Sequence, residues 1–539
     1  MPDAVVIGSG PNGLVAANLL ADAGWVVEVL EAQPEPGGAV RSAEILEPGF
    51  THDLFSSFYP FTQISPPLLA FELERHGLRW RRSPLVVAHP ELDGRCAALS
   101  QDLDETAASL DVFAPGDGDA WRSLYADWQR IAKGFTQAFF TPFPPVLGAA
   151  RIGASMPPAD LLRFARFAAL PIRRLGEEHF RGGGATDLLA GNALHADLAP
   201  EAVGSGFFGW IMCALGQAHG FPVAEGGSSA LSGALVRRLE ERGGRVRCSA
   251  RVERVLVRRG RAAGVRTTHG DEVQARRAVL ADVDALTLYR KLVAPEHLPG
   301  RLLGDLERSF ELDSATIKVD WTLDGPVPWT APEARRAGTV HVTGSIDQLT
   351  RTMADLQTGC IPATPFLIFG QYSMTDPTRQ PAGKETAWAY AHVPQNVKGD
   401  AGGELSGRWD EEEVARFADR MEGVLEDFAP GFRGLVRARH LLGPRALEEA
   451  DANLVGGAIN GGTAHVHQLA MFRPAPAHLG RPESPLPGLY LASSSAHPAG
   501  GVHGAPGAIA ARAALGHAAR RRAMIGLGVA AALAGRRSS

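Results

Sequence analysis

The sequence predicts an α/β protein, and three observations carry that reading. An apolar β-branched run, Ala4 to Ile7 (AVVI), passes through GSGPNG into LVAANLLADAG, where Leu14, Ala17, Leu20 and Ala21 recur at helical spacing. A second apolar run, Val26 to Leu30 (VVEVL), follows and ends in Glu31. Far downstream, Ala224 to Asp282 opens with a glycine turn and a helix whose Leu231, Leu235 and Leu239 share one face, then turns to short alternating strands. At 539 residues the chain is long for one core, so two domains assembled from discontinuous segments are expected.

The first element pair is strand, tight turn, helix. Gly8, Gly10 and Gly13 fill a GxGxxG pattern around Ser9, Pro11 and Asn12. The first glycine makes the turn, the second lets backbone approach a pyrophosphate, and the third lets helix and strand pack closely. Glu31 stands where a carboxylate takes the ribose hydroxyls of an adenine dinucleotide, and a 2′-phosphate would be repelled there. A dinucleotide site is the result.

Composition bounds the partners. The net charge of −5, with both signs interspersed, gives no basic field for nucleic acid. Cys96, Cys213, Cys248 and Cys360 lie far apart with no metal-ligand spacing, so neither disulfides nor a metal site is expected. The N-terminus enters its first strand at once, without a basic n-region, h-region or cleavage site, which predicts a cytoplasmic protein.

Which dinucleotide binds is decided just after Glu31. EAQPEPGGAVRS (Glu31 to Ser42) sets Gly37 and Gly38 behind the acid, and this resembles the glutathione-reductase-like FAD fold, in which a diglycine follows the ribose-binding Glu. The resemblance implies FAD as the cofactor. Many relatives carry Arg directly after the diglycine; here Ala39 stands there and Arg41 is the nearest Arg. The same resemblance implies that backbone at Val252 meets the adenine and that Val279 to Asp282 returns the chain to the parallel sheet. The chain has a single GxGxxG and no CxxxxC, which fits a two-nucleotide disulfide reductase poorly.

SAHPAGGVHGAPGAIAA (Ser495 to Ala511) places four glycines and two prolines between an apolar run and an alanine-rich helix. Such a loop hugs a ligand or simply caps the helix. With the preceding LYLAS it resembles the closing motif of phytoene desaturases, carotenoid isomerases and their pyridine-nucleotide-disulfide-oxidoreductase-domain relatives. That resemblance implies that backbone at Gly500, Gly501 and Val502 faces the flavin, beside a helix N-terminus that stabilises negative charge. His497 is expected to hold the loop rather than to react, and His503 is given no firmer role in chemistry.

The family fold implied is a three-layer FAD-binding domain from 1–75, 221–300 and 450–519, an inserted α+β substrate domain from 76–220 and 301–449, and a basic, apolar tail at 520–539. The implied function is hydride removal from an apolar isoprenoid-like or acyl chain, with oxygen, a quinone or a redox protein as electron acceptor. Amine oxidation, flavin-dependent isomerisation and prenyl binding without chemistry stay open as alternatives.

The middle of the chain offers Phe135 to Phe143, Phe164 and Phe167 as an apolar route, or as ordinary core. DLLRFARFAALPIRRLG (Asp160 to Gly176) interleaves apolar residues with arginines up to Pro171, a pattern that suits peripheral contact with a membrane as well as a solvated helix. No catalytic residue is legible by motif. Lys318, in the alternating strand pattern SATIKVDWTL, resembles the lysine that flavin amine oxidases hold near N5, but a surface strand lysine is the simpler expectation. The tail's apolar stretch, Ala523 to Gly535, is too short for an ordinary membrane span, which takes roughly 20 residues.

Overall fold

The computed structural model describes residues 1–535. Five strands form a wholly parallel sheet in the order Leu489–Leu491, Ala278–Ala281, Ala4–Ile7, Val27–Leu30 and Arg245–Arg247. All but the last are fully buried, which is why they read as continuous rather than alternating apolar runs. One face of the sheet packs on the helices Pro11–Asp22, Ser229–Glu241 and the start of Ala505–Gly535, through Leu14, Leu20, Leu235 and Ala508. The antiparallel strands Val252–Arg258, Arg261–Thr267 and Glu272–Gln274 cover the other face through Val255 and Val265. This is the three-layer architecture expected.

A seven-stranded mixed sheet forms the second body, in the order Val436–Leu442, Ala315–Leu323, Glu385–Val393, Leu367–Gln371, Ala337–Val342, Leu85–Pro90 and Cys96–Leu99. Its neighbours run antiparallel except Ala337–Val342 beside Leu85–Pro90. The helix Glu411–Phe428 covers one face, where Trp321, Phe369, Phe417 and Phe432 meet. The other face lies under Asp117–Phe139, Gly184–Ala193 and Ser205–His219, with Trp128, Leu189 and Trp210 in that core.

Several local readings change. The second strand begins at Val27 rather than Val26, because Val26 is exposed and turns its carbonyl to the N–H groups of Asp3 and Ala4. The arginine-rich helix ends at Ala169, before Pro171, and a second helix, Ile172–His179, starts beyond it. Gly504 and Gly507 serve helix packing: a Cβ on Gly504 would lie 2.5 Å from Val15, and one on Gly507 1.9 Å from the Asn12 carbonyl. Two of the four glycines in the C-terminal loop therefore bring two helices together.

The C-terminal helix runs unbroken through Gly535, so the 520–539 tail begins inside it and its last four residues lie outside those described. No helix among the described residues is long and apolar enough to cross a membrane. All four cysteines are free.

Candidate active site

The glycine turn is built by close backbone contact. Gly8 has φ +90°, and a Cβ there would sit 2.6 Å from the Asp282 carbonyl oxygen. A Cβ on Gly13 would lie 2.3 Å from Gly8 O, and one on Gly38, at φ +55°, 2.9 Å from Gly10 Cα. The diglycine thus rests directly on the first glycine turn. Both must be glycine, since a side chain at positive φ or at such a contact would push the backbones apart.

Ser9 ties the turn to the second strand. Its N–H and hydroxyl both donate to Glu31 Oε2, at 2.9 and 2.6 Å, while the Gln33 N–H donates to Oε1 at 2.9 Å. A carboxylate offers about four lone-pair sites, so Glu31 keeps acceptor capacity for a ribose. The segment expected near the adenine lies alongside, because Ala250 N–H donates to Glu31 O and Ser249 N–H to Gln33 O, just before Val252.

At the helix start, Pro11 lacks an N–H and Asn12 Oδ1 is buried without a partner among the described residues. The Gly13 N–H donates to Asp282 Oδ2 at 2.7 Å. Burial first, and then the nearby Asp451 and Glu31 charges, push the Asp282 carboxyl up to about 8, although the Gly13 bond pulls it down. Burial likewise raises Asp451 to about 6. Sequence reasoning placed Asp282 only as a strand end and passed over Asp451; an acid closing the fourth parallel strand, opposite the glycine turn, is the signal that was available.

This arrangement predicts a pH-dependent cofactor site. An ionised Asp282 at the helix N-terminus would repel a diphosphate, so binding FAD favours its protonated form and raises its pKa further. Affinity then falls as pH rises through about 8, by up to about tenfold per unit until the raised pKa is passed. Asp282→Asn, neutral throughout, should remove the fall. Flavin fluorescence titrations across that range measure it, and an identical slope in both proteins would refute the role given to Asp282.

Arg41 does not point into open space. Its Nε donates to Gly38 O and its Nη2 to Ala450 O, at 2.9 and 2.8 Å, and its guanidinium lies over Phe55. It clamps the diglycine turn from behind.

At the C-terminal loop, Gly501 is exposed with φ +112°, and Gly500 and Val502 are half-buried. A surface of bare backbone is what a planar ring needs to approach. His503, wholly buried, accepts from Ala505 N–H at Nδ1 (3.0 Å) and therefore donates from Nε2 to Gly500 O (3.2 Å). It caps the final helix and braces the loop in one tautomer. Burial holds it neutral, at about 4. His497 Nε2 lies 3.1 Å from Thr141 O, the loop-holding role expected of it.

Lys318 departs from expectation. It is not a surface lysine but is 3% exposed, with Nζ donating to Asp53 O at 3.0 Å and paired with Asp320. Its strand lies inside the seven-stranded sheet, paired on both sides, so the alternating pattern has no solvent face.

The glycine cradle, the unpartnered Asn12 oxygen and the Glu31 acceptor fit an adenine dinucleotide, and the exposed Gly501 backbone fits a flavin ring. A family model for flavin containing amine oxidoreductase matches residues 12–309, more than half of the chain. The chain belongs to that family. It is 29% identical to mouse pyridine nucleotide-disulfide oxidoreductase domain-containing protein 2, over 94% of this chain and 92% of that protein. It is 25% identical to a lycopene-forming phytoene desaturase of Pseudescherichia vulneris, over 96% and 99%. An oxidoreductase of known structure from Methanosarcina mazei shares the fold, with TM-score 0.59 and 17% identity over 95% of this chain and 99% of that one. This family member is an FAD-dependent oxidoreductase of the phytoene desaturase-like group.

Proposed function

We propose that this flavoprotein removes a hydride from an apolar isoprenoid-like or acyl chain, and passes the electrons to oxygen, a quinone or a redox protein. The observation that carries the reading is the aromatic wall on the exposed Gly501 loop: Phe61, Phe139 and Phe140 surround the His503 ring at centroid distances of 5.8, 5.0 and 6.0 Å. Such a wall excludes water and carries no charge of its own. The similarity to a phytoene desaturase supports the same substrate class. Phe164 and Phe167 take no part in this wall, since they pack on Phe207 and Trp210 instead.

In this proposal the discontinuous segments 1–75, 221–300 and 450–519 hold FAD, through Gly8 to Gly13, Glu31, Gly37, Gly38, Arg41, Val252 and Gly500 to Val502. The remainder, 76–220 and 301–449, holds the substrate. FAD supplies the hydride-accepting chemistry. Arg41 keeps the diglycine turn in place, and His503 orients the loop beneath the ring. Lys318, fixed by Asp53 O and Asp320, is the candidate for a direct role. The helix Pro158–Ala169, with Leu162 77% exposed beside Arg163 and Arg166, is the proposed face for contact with a membrane surface.

Anaerobic rapid mixing tests the reading. Lipophilic isoprenoid or acyl chains are expected to bleach the oxidised flavin absorbance within a turnover. If NADPH alone does so, or small amines do while lipophilic chains do not, the proposal fails in favour of a reductase or an amine oxidase.

A further inference from the structure

The helices Asp117–Phe139 and Val146–Ala154 pack closely, because Gly148 lets its chain approach Ala138 and Gly134 sits against Ile152. Beside this pair opens a cavity of about 700 Å³, a volume that suits a small organic molecule. Its floor includes Ile64, Trp128 and Phe140, all buried. Lys133, Arg151 and Arg512 also line it, and no carboxylate does.

Those three cations differ from their neighbours. Arg122, Arg130, Arg163 and Arg166, on the same or adjoining helices, each pair with an acid. Among the described residues Lys133, Arg151 and Arg512 pair with none, and Arg512 makes only a 3.4 Å bond to Phe140 O. Three unneutralised charges around one concavity repel each other, a cost that an anion in the cavity would reverse. Gln137 adds a buried amide oxygen with no partner. Its amide can be turned to donate, since O and N are assigned by their surroundings.

The apolar floor argues against a small inorganic anion, and the absence of a glycine turn or ribose-binding acid argues against a second nucleotide. The cations line a concave site rather than the exposed face of Pro158–Ala169, so a flat membrane surface is a poorer match. We propose that this cavity binds a single-chain amphiphile with an anionic head, the head on Lys133, Arg151 and Arg512 and the chain along Ile64, Trp128 and Phe140. The head group is a carboxylate or a phosphate, which the guanidinium forks suit equally.

Calorimetric titration of the full-length, FAD-loaded protein decides the matter. Laurate and dodecyl phosphate are expected to bind, dodecanol at least about tenfold more weakly, and inorganic phosphate not to saturate. The combined substitution K133Q, R151Q and R512Q, on exposed side chains, should lower laurate affinity at least about tenfold without lowering the melting temperature. Ala132→Trp, which fills the cavity and keeps the charges, should block both amphiphiles. The proposal is overturned if dodecanol matches laurate, if the triple variant binds laurate like the parent, or if only anionic vesicles bind. Binding is read without turnover, so its failure leaves the hydride-transfer reading intact.

Discussion

Glu31→Arg is expected to yield a folded but colourless protein. In the parent, Glu31 is 6% exposed and its carboxylate already organises the turn, taking two bonds from Ser9 and one from Gln33. The remaining lone pairs are the natural acceptors for the ribose hydroxyls. An arginine there supplies no acceptor, breaks the Ser9 anchor and leaves a cation at the end of a buried strand. Charge-assisted bonds contribute about 1.5–3 kcal/mol each, so losing two lowers FAD affinity by about 100-fold or more. The ratio of flavin to protein absorbance after purification measures it, with circular dichroism to show that the strands remain. Glu31→Gln, which keeps one oxygen acceptor and the side-chain length, should lose less. A yellow Glu31→Arg protein with parental FAD content would place the adenosine elsewhere.

The parallel sheet was legible because its strands and turns obey local rules. Gly8, Gly10, Gly13 and Glu31 stand at spacings that the backbone geometry of one strand-turn-helix unit dictates, and the structure sets them around one turn. The C-terminal loop was only half legible. Gly500 and Gly501 present bare backbone at the site, whereas Gly504 and Gly507 allow the last helix to cross the first, and a run of glycines does not tell the two uses apart.

Long-range polar partners were not legible at all. Lys318 reads as a surface strand lysine on alternation, yet it is buried because strands 385–393 and 436–442 flank it and Asp320 neutralises it. Arg473 leaves no trace in the sequence either. It is fully buried and donates to the carbonyls of Asn460, Gly461, Thr463 and Ser494, so one side chain ties the 460–463 loop to the chain just past the last parallel strand. Nothing in FRPAP announces that partners lie 10 to 21 residues away.

The same limit holds for the segment Asp376 to Thr378, which lies at the junction between the two bodies. Arg379 is completely buried and uses its whole fork: Nη1 donates to Asp53 Oδ2 at 2.7 Å, Nε to Asp376 Oδ2 at 3.0 Å and Nη2 to Ala224 O at 2.7 Å. Its guanidinium stacks on Tyr372, whose hydroxyl also donates to Asp53. Asp53 accepts from the Ser228 N–H and Asp376 from the Gly226 N–H, so three distant segments close on one cation. Burial alone would raise the Asp53 carboxyl, but Arg379 and Tyr372 hold it below its ordinary value.

Arg379→Met removes the cation that, among the described residues, pairs with two buried carboxylates, while keeping an apolar stem of similar reach. Breaking such a pair costs about 3–5 kcal/mol, because the acids are left charged in a dry interior or must take up protons. The expected result is a large drop in the urea midpoint and in soluble yield. The direction with pH follows from Asp53: the parent gains stability from ionised Asp53 above its unfolded pKa and loses it as pH falls, whereas the variant should be relatively less penalised in acid, where Asp53 is neutral. Arg379→Lys, a point charge without the fork, should fall between the two. Urea unfolding followed by tryptophan fluorescence at neutral and acidic pH tests this, and a midpoint within error of the parent at neutral pH would show that the junction does not depend on Arg379.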